Sequence, residues 1–340
     1  MIHIDGNKGE GGGQVLRASL ALSLVSGKPF VIENIRGGRT KPGLLRQHYA
    51  AVKAAAQVSD AELSEVAVGS SRLEFHPKAI RAGAYQFSVG SAGSASLVMQ
   101  TVLTPLLLAD GTSTLELEGG THNPMAPPTD FIQKTLLPCL SEMGANVSLT
   151  VDRFGFYPAG GGRFSVVIEP INSHAPLDLT ARPERSVLSA VAYVSQIPES
   201  IGRRELKVLT DKLQLPWDSA EVFEVTDSIG PGNALMVAIE SDHVTEVITG
   251  FGERGTSAER VAKKVANEVR RYLKSGAPVG AHLADQLIVP MAAGAGGRFR
   301  TLPPSRHLET VVEITRQFLD VEIKLEPTDE IAWDVEVTTS

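Results

Sequence analysis

Cysteine, long apolar runs and excess positive charge are all scarce in this chain, and each shortage narrows what it can be. The single cysteine, Cys139, cannot close an internal disulfide, so a reducing cytoplasm is the expected setting. Cys139 falls on the apolar face of an expected helix, where a buried structural role is expected. No apolar stretch approaches the roughly 18 residues of a membrane span, so no membrane partner is expected. The opening Met1-Ile2-His3-Ile4-Asp5 shows neither the basic nor the apolar region of an export signal. The formal charge of −7 argues against indiscriminate attraction to nucleic acid, so any polyanion must be met by a local patch. No Cys/His set has zinc spacing, no G-x-S-x-G elbow occurs, and the glycine cluster over 9–14 matches neither G-x-x-x-x-G-K-[ST] nor G-x-G-x-x-G.

What remains is an ordinary globular composition, 42% hydrophobic and 21% charged, over 340 residues. That length suits two domains, or one large domain with an insertion. A basic patch stands out in Ile35-Arg36-Gly37-Gly38-Arg39-Thr40-Lys41-Pro42-Gly43-Leu44-Leu45-Arg46-Gln47-His48, which has no acidic residue. It lies between a strand-type run over 29–35 and a helix-type run over 43–56. Arginine offers a planar fork of donors that fits phosphate, and neighbouring glycines let backbone N–H groups approach the same oxygens. A second glycine cluster, Gly9-Glu10-Gly11-Gly12-Gly13-Gln14, opens an apolar helix, whose N-terminus favours anions. Glu10 there either caps the helix or holds a metal that bridges to phosphate, and Arg17 falls about one turn in.

His307 sits in Pro303-Pro304-Ser305-Arg306-His307-Leu308, at the expected start of an amphipathic helix carrying Leu308, Val311, Val312, Ile314 and Phe318. The positive end of a helix disfavours imidazolium, so a neutral ring next to bound phosphate is expected: a nucleophile's environment. A glycine-rich loop, a small-residue helix, a short strand, a Gly/Pro loop and a second helix recur over 9–56, 89–143 and 280–319. The stretch 181–275 breaks that pattern with its own strands and helices, and reads as an α+β insertion in the third unit. His122 sits in a loop equivalent to the basic loop of the first unit.

Taken with Gly90-Ser91-Ala92-Gly93-Ser94, Gly155-Phe156-Tyr157-Pro158-Ala159-Gly160-Gly161-Gly162, Gly230-Pro231-Gly232-Asn233 and Leu283-Ala284-Asp285-Gln286, these motifs in this order resemble the RNA 3′-terminal phosphate cyclase family over nearly the whole chain. The resemblance implies an α+β fold of three βαβαββ-type units, each like the C-terminal domain of translation initiation factor three, with a smaller α+β insert. The units would occupy 1–180 and 276–340, and the insert 181–275. It also implies an ATP-dependent enzyme that converts an RNA 3′-phosphate into a 2′,3′-cyclic phosphodiester. On this resemblance His307 is the residue that takes AMP covalently, and Glu10 helps hold a divalent metal, Mg2+ or Mn2+. Arg17, Arg36, Arg39, Gln47 and His48 would line the phosphate site. Gln100, His282, Leu283, Ala284, Asp285 and Gln286 would line the ATP pocket, with Asp285 near His307. His282 stands where a tyrosine is common, and Arg306 where a small residue or cysteine occurs. The implied partners are ATP and RNA 3′-phosphate ends, with a homo-oligomer open. Two other readings are a ribosome-biogenesis scaffold of the same fold, which would lack the nucleophile, and an enolpyruvyl transferase, which would need a basic site rather than a histidine acceptor.

Overall fold

The computed structural model describes residues 1–183 and 186–339; Glu184 and Arg185, within the expected insertion, lie outside them. The fold is α+β, with four small mixed four-stranded sheets. The first unit runs β1 (Ile2–Asp5), α1 (Gly13–Ser26), β2 (Phe30–Glu33), α2 (Arg46–Ser59), β3 (Glu62–Leu63) and β4 (Leu73–His76). The second runs β5 (Ala84–Ser88), α3 (Ala95–Leu107), β6 (Ser113–Gly119), a helix α4 (Thr129–Phe131) continuing through a wide turn into α5 (Leu137–Glu142), then β7 (Asn146–Arg153) and β8 (Gly162–Glu169). The third opens with β9 (Leu177–Leu179).

An inserted segment follows, with β10 (Val187–Ser195), α6 (Ser200–Leu213), β11 (Ala220–Glu224), β12 (Gly232–Glu240), β13 (Thr245–Phe251) and α7 (Ala258–Ser275). The third unit then resumes as α8 (Ala281–Ala293), β14 (Gly297–Thr301), α9 (Arg306–Phe318), β15 (Val321–Pro327) and β16 (Trp333–Thr339). All three units share one strand arrangement: the first and second strands pair in parallel, and the fourth lies antiparallel between the second and third.

Burial alternates along β6 and β8, as expected where a sheet is covered by helices on one face only. The covering helices α1 and α3 are apolar nearly all round and buried on nearly every side, so they form the centre on which the units pack. The inserted segment builds its own sheet, in the order β11-β10-β12-β13, and its own apolar cluster around Leu206, Leu235, Val237 and Val265. Among the described residues no helix is long and apolar enough to cross a membrane. Cys139 is buried, and burial pushes its thiol up to about 12, which leaves it inert.

Two local expectations need correction. The helix expected over 43–56 starts only at Arg46, because Gly43 has φ +79° and its N–H and C=O are taken by Ile35 and by the Arg36 guanidinium. The helix before Met143 is interrupted by a π turn over Ile132–Leu136, where Leu137 N–H reaches back to Ile132 C=O. Pro138 follows directly; it has no N–H and its ring crowds an ordinary helical turn, so the wider turn accommodates it.

The first and third units are joined by aromatic packing. Phe30 meets Phe75 within the first unit and Phe318 from the third, each with ring centroids 5.8 Å apart, and all three rings are fully buried. Phe318→Ala is expected to cost about 3–5 kcal/mol, read as a lower urea midpoint with an unchanged slope.

Candidate active site

Four helices begin near one place: the N-terminal ends of α1, α2, α8 and α9 bring Gln14, His48, Asp285 and His307 together from the first and third units. Such a convergence of helix N-termini favours anions. Ser305 starts α9 by accepting the Leu308 N–H at 3.2 Å, and His307 is the second residue of that helix, its side chain 48% exposed.

The His307 ring is held by Gln14. The Gln14 side-chain amide donates to Asp285 Oδ2 at 2.8 Å, which fixes its oxygen on the other side, 2.5 Å from His307 Nδ1. That oxygen can only accept, so Nδ1 carries the proton and Nε2 keeps a free lone pair. Burial lowers the pKa of His307 below the usual imidazole value; Arg17, His282 and Arg39 push the same way and Glu10 opposes them. The ring is therefore neutral at physiological pH. Burial also raises the Asp285 carboxyl to about 7, against the pull of Arg17 and of the Gln14 hydrogen bond.

The glycine loop before α1 is fastened to α9. Glu10 N–H donates to Thr310 Oγ1 at 2.9 Å, and Thr310 in turn donates to Arg306 C=O at 2.6 Å. The Glu10 carboxylate, only 7% exposed, accepts from Arg39 Nη2 at 2.7 Å and from the Gln14 N–H at 3.4 Å, and lies 3.9 Å from His307 Nδ1. Helix capping and ion pairing thus both occupy it. Gly13 is required beside this loop, because a side-chain carbon there would come within 2.8 Å of Arg17 Nη1 and would also strike His48 Nε2. Burial lowers Arg17 to about 10, so it stays cationic at neutral pH. Burial, with Arg17 and Arg36 adding, lowers His48 to about 3, so it stays neutral. His48 Nδ1 accepts the Leu45 N–H at 3.2 Å, which puts the ring proton on Nε2, beside Arg17.

The chain matches the family model described as RNA 3′-terminal phosphate cyclase over residues 8–325. It is 46% identical over 325 residues to the RNA 3′-terminal phosphate cyclase of Koribacter versatilis, covering 96% of this chain and 92% of that one. Against the protein of the same name from Salmonella agona, identity is 46% over 331 residues, covering 97% and 96%. The chain belongs to the RNA 3′-terminal phosphate cyclase family. Among solved structures it is similar to the enolpyruvyl transferase NikO from Streptomyces tendae, with 12% identity, TM-score 0.41, and coverage of 98% of this chain and 47% of that one. A likeness at that level carries no weight for fold or activity.

For this member of the cyclase family, the residues expected at the site fall into three groups. Arg17, Arg39, His48, Asp285, Glu10 and His307 are brought together, as described. Gln47 and Gln100 are engaged at the margins: Gln47 Oε1 accepts the Ser94 N–H at 3.0 Å, and the Gln100 amide donates to Gln286, which itself donates to His282 C=O at 2.5 Å. His282 is exposed at the start of α8.

The remaining residues sit differently. Leu283 and Ala284 are fully buried in the core with Leu287, Ile288 and Met291, because α8 turns that face inward and His282, Asp285 and Gln286 outward. Arg36 sits at φ +55° and spends Nη1 on the carbonyls of Lys41 and Gly43, at 2.5 and 2.9 Å, so it braces the basic loop. His122 lies away from the cluster, fully buried, between Thr121 Oγ1 and Asp130 Oδ2 at 2.9 Å each; Tyr193 of the inserted segment donates to Asp130 Oδ1 at 2.8 Å. It ties the insert to the second unit.

Gln14 and Thr310 carry no role in the reading of the sequence alone. Gln14 stands within the glycine motif, but its two partners are 271 and 293 residues away. Because the His307 pKa is lowered, the acid limb of the activity profile should fall below pH 6.5, the usual imidazole value. Arg17→Ala removes one cause of that lowering and should move the limb upward. Gln14→Ala should slow the first covalent step on the order of a hundredfold while leaving the melting temperature nearly unchanged, as measured by single-turnover kinetics and thermal melts.

Proposed function

We propose that this chain is an ATP-dependent RNA 3′-phosphate cyclase that works through a covalent histidine–AMP. The observation that carries this is the hydrogen bond from His307 Nδ1 to Gln14, which leaves Nε2 as a neutral nucleophile on a half-exposed ring beside Arg17 and Arg39. The Nε2 lone pair attacks the α-phosphorus of ATP, the bond to the bridging oxygen breaks, and pyrophosphate leaves. The imidazole then carries a positive charge; its Nδ1–H keeps its proton and donates to the Gln14 carbonyl, and the Gln14 amide leans on the Asp285 carboxyl.

In the second step an oxygen of the RNA 3′-phosphate attacks the same phosphorus and releases neutral imidazole. A 3′-phosphate is a poor electrophile until it is esterified with a good leaving group. Once it is, the neighbouring 2′-OH attacks the 3′-phosphorus, loses its proton and expels AMP, which closes the ring. Arg17 and Arg39, with the His48 Nε2–H, supply positive charge and donors where these anions meet. Exposed His282 lies close enough to act on His307, and with Asp285 and Gln286 on the outer face of α8 marks the side where ATP would sit.

A divalent metal would offset phosphate charge here. Among the described residues no cluster of three or more His, Cys, Asp or Glu could hold an ion unaided. Magnesium-type ions on nucleotides keep water and phosphate oxygens and need only one or two carboxylates. Glu10, beside the phosphate-binding arginine, fits that requirement and would exchange Arg39 for the ion. The same reading divides the chain into a catalytic domain over 1–180 and 276–340 and an insert over 181–275. It likens each unit to the C-terminal domain of translation initiation factor three, and places the protein in the cytoplasm.

The test is incubation with α-labelled ATP and a short RNA ending in a 3′-phosphate. Label that is acid-labile and base-stable should attach to the wild type, vanish in His307→Ala, and be chased by the RNA as a 2′,3′-cyclic end appears. Label that persists in His307→Ala would overturn the mechanism.

A further inference from the structure

Three glycine-rich segments that the chemistry above leaves without a role meet at one place, next to the phosphate site. Gly160 abuts the chain at Ala92, where a side-chain carbon would come within 2.7 Å of the Ala92 Cα. Gly230 rests on Ala159, Gly232 on Phe156, and Gly161 against Ile229. The turn from Phe156 to Gly160 is closed by the Gly160 N–H on Phe156 C=O at 2.7 Å, and Arg153 Nε holds Gly161 C=O at 2.6 Å. The segments 90–94, 155–162 and 228–233 are thus locked together, from the second unit and the insert.

Large apolar side chains stand exposed on this platform. Tyr157, at the tip of the turn, is 66% exposed and Ile229 57% exposed, while Met125, in the loop that grips Ala92 through Asn123 and Ser96 through Pro127, is 89% exposed. The platform continues directly into the phosphate site. Gln47, next to His48, accepts the Ser94 N–H and packs beside Gly93, and exposed Arg46 donates to Gly90 C=O at 2.8 Å, which occupies one guanidinium nitrogen. Lys41 and Arg39 lie on the same basic loop, which has no acidic residue.

We infer that this platform is the track for the single-stranded RNA upstream of the reacting 3′-phosphate: Tyr157 stacks on a base, Ile229 and Met125 flank it, and Arg46 meets a backbone phosphate. Aromatic faces interleaved with basic side chains are what single strands require, since unstacked bases cover an exposed ring while their phosphates need cations. The occupant is set by continuity with the phosphate site and by the positive charge at the near end. The inference rests on the proposed cyclase activity, of which it names the substrate contacts outside the chemistry.

The test compares a dye-labelled RNA of about ten nucleotides ending in a 3′-phosphate, within the span that single-strand grooves cover, with a nucleoside 3′-monophosphate. Tyr157→Ala should weaken oligonucleotide binding by about tenfold in fluorescence anisotropy and raise KM for it similarly, as expected for loss of one stacked base. Both kcat and ATP-only labelling of His307 should be unchanged, as should KM for the mononucleotide. Tyr157→Phe should restore the oligonucleotide values. Arg46→Gln should reduce the logarithmic salt slope of binding by about 0.7, the share of one contact to a single strand. Wild-type oligonucleotide affinity in Tyr157→Ala, or equal losses for both substrates, would overturn the track. Binding is read without ATP, so a wild type that never labels would refute the covalent mechanism while the anisotropy comparison still decides this one.

Discussion

The side-chain amide of Gln14 is where three helices are held to one another. It reaches from α1 to a carboxyl on α8 and an imidazole on α9, and because an amide has one donating and one accepting end, the two contacts fix each other. Were Asp285 absent, the amide could turn over and present N–H groups to the ring, which would then need its lone pair at Nδ1. The presence of a carboxyl on α8 therefore decides which nitrogen of a distant histidine is reactive. The rest of the site follows from this pin, since Thr310 ties the Glu10 loop to the same helix that carries His307.

Electrostatics in the cluster are arranged by burial as much as by pairing. His48, Arg17 and His307 all have their charged forms disfavoured by loss of water, and the Asp285 carboxyl is driven upward for the same reason. Only arginine tolerates this and stays charged, which explains why the permanent positive charges here are guanidinium groups. The inserted segment joins this arrangement through Glu246 on β13, whose buried carboxyl accepts the Gly280 N–H at 3.0 Å at the head of α8. Burial raises that carboxyl to about 8. The helix that carries His282 and Asp285 is thereby seated on the insert as well as on its own unit.

How much could be read beforehand depended on the range of each interaction. Ser305 before a periodic apolar run placed His307 correctly at a helix start, because capping and periodicity are local signals. The inward position of Leu283 and Ala284 was also local: their spacing to Leu287, Ile288 and Met291 marks a buried stripe, and a motif matched as a continuous run obscures it. Arg36 was assigned to phosphate from residue type, whereas its positive φ and its two carbonyl partners arise from the loop's own path. The Asp285–Gln14–His307 chain and the stacking of His122 on Phe154, 4.7 Å between ring centroids, join residues with no shared period, and only the folded chain brings them together.

The third unit is assembled from pieces that sit far apart along the polypeptide: β9 ends at Leu179, and its parallel partner β14 begins only at Gly297. The entropy of closing that gap grows only slowly with its length, and it falls further when the intervening segment has condensed into something compact with its two ends near each other. Arg17 and Arg39 belong to the first unit, whereas His307 belongs to the third, beyond the insert. The cationic and the nucleophilic halves of the cluster therefore come face to face only when the third unit closes across the insert.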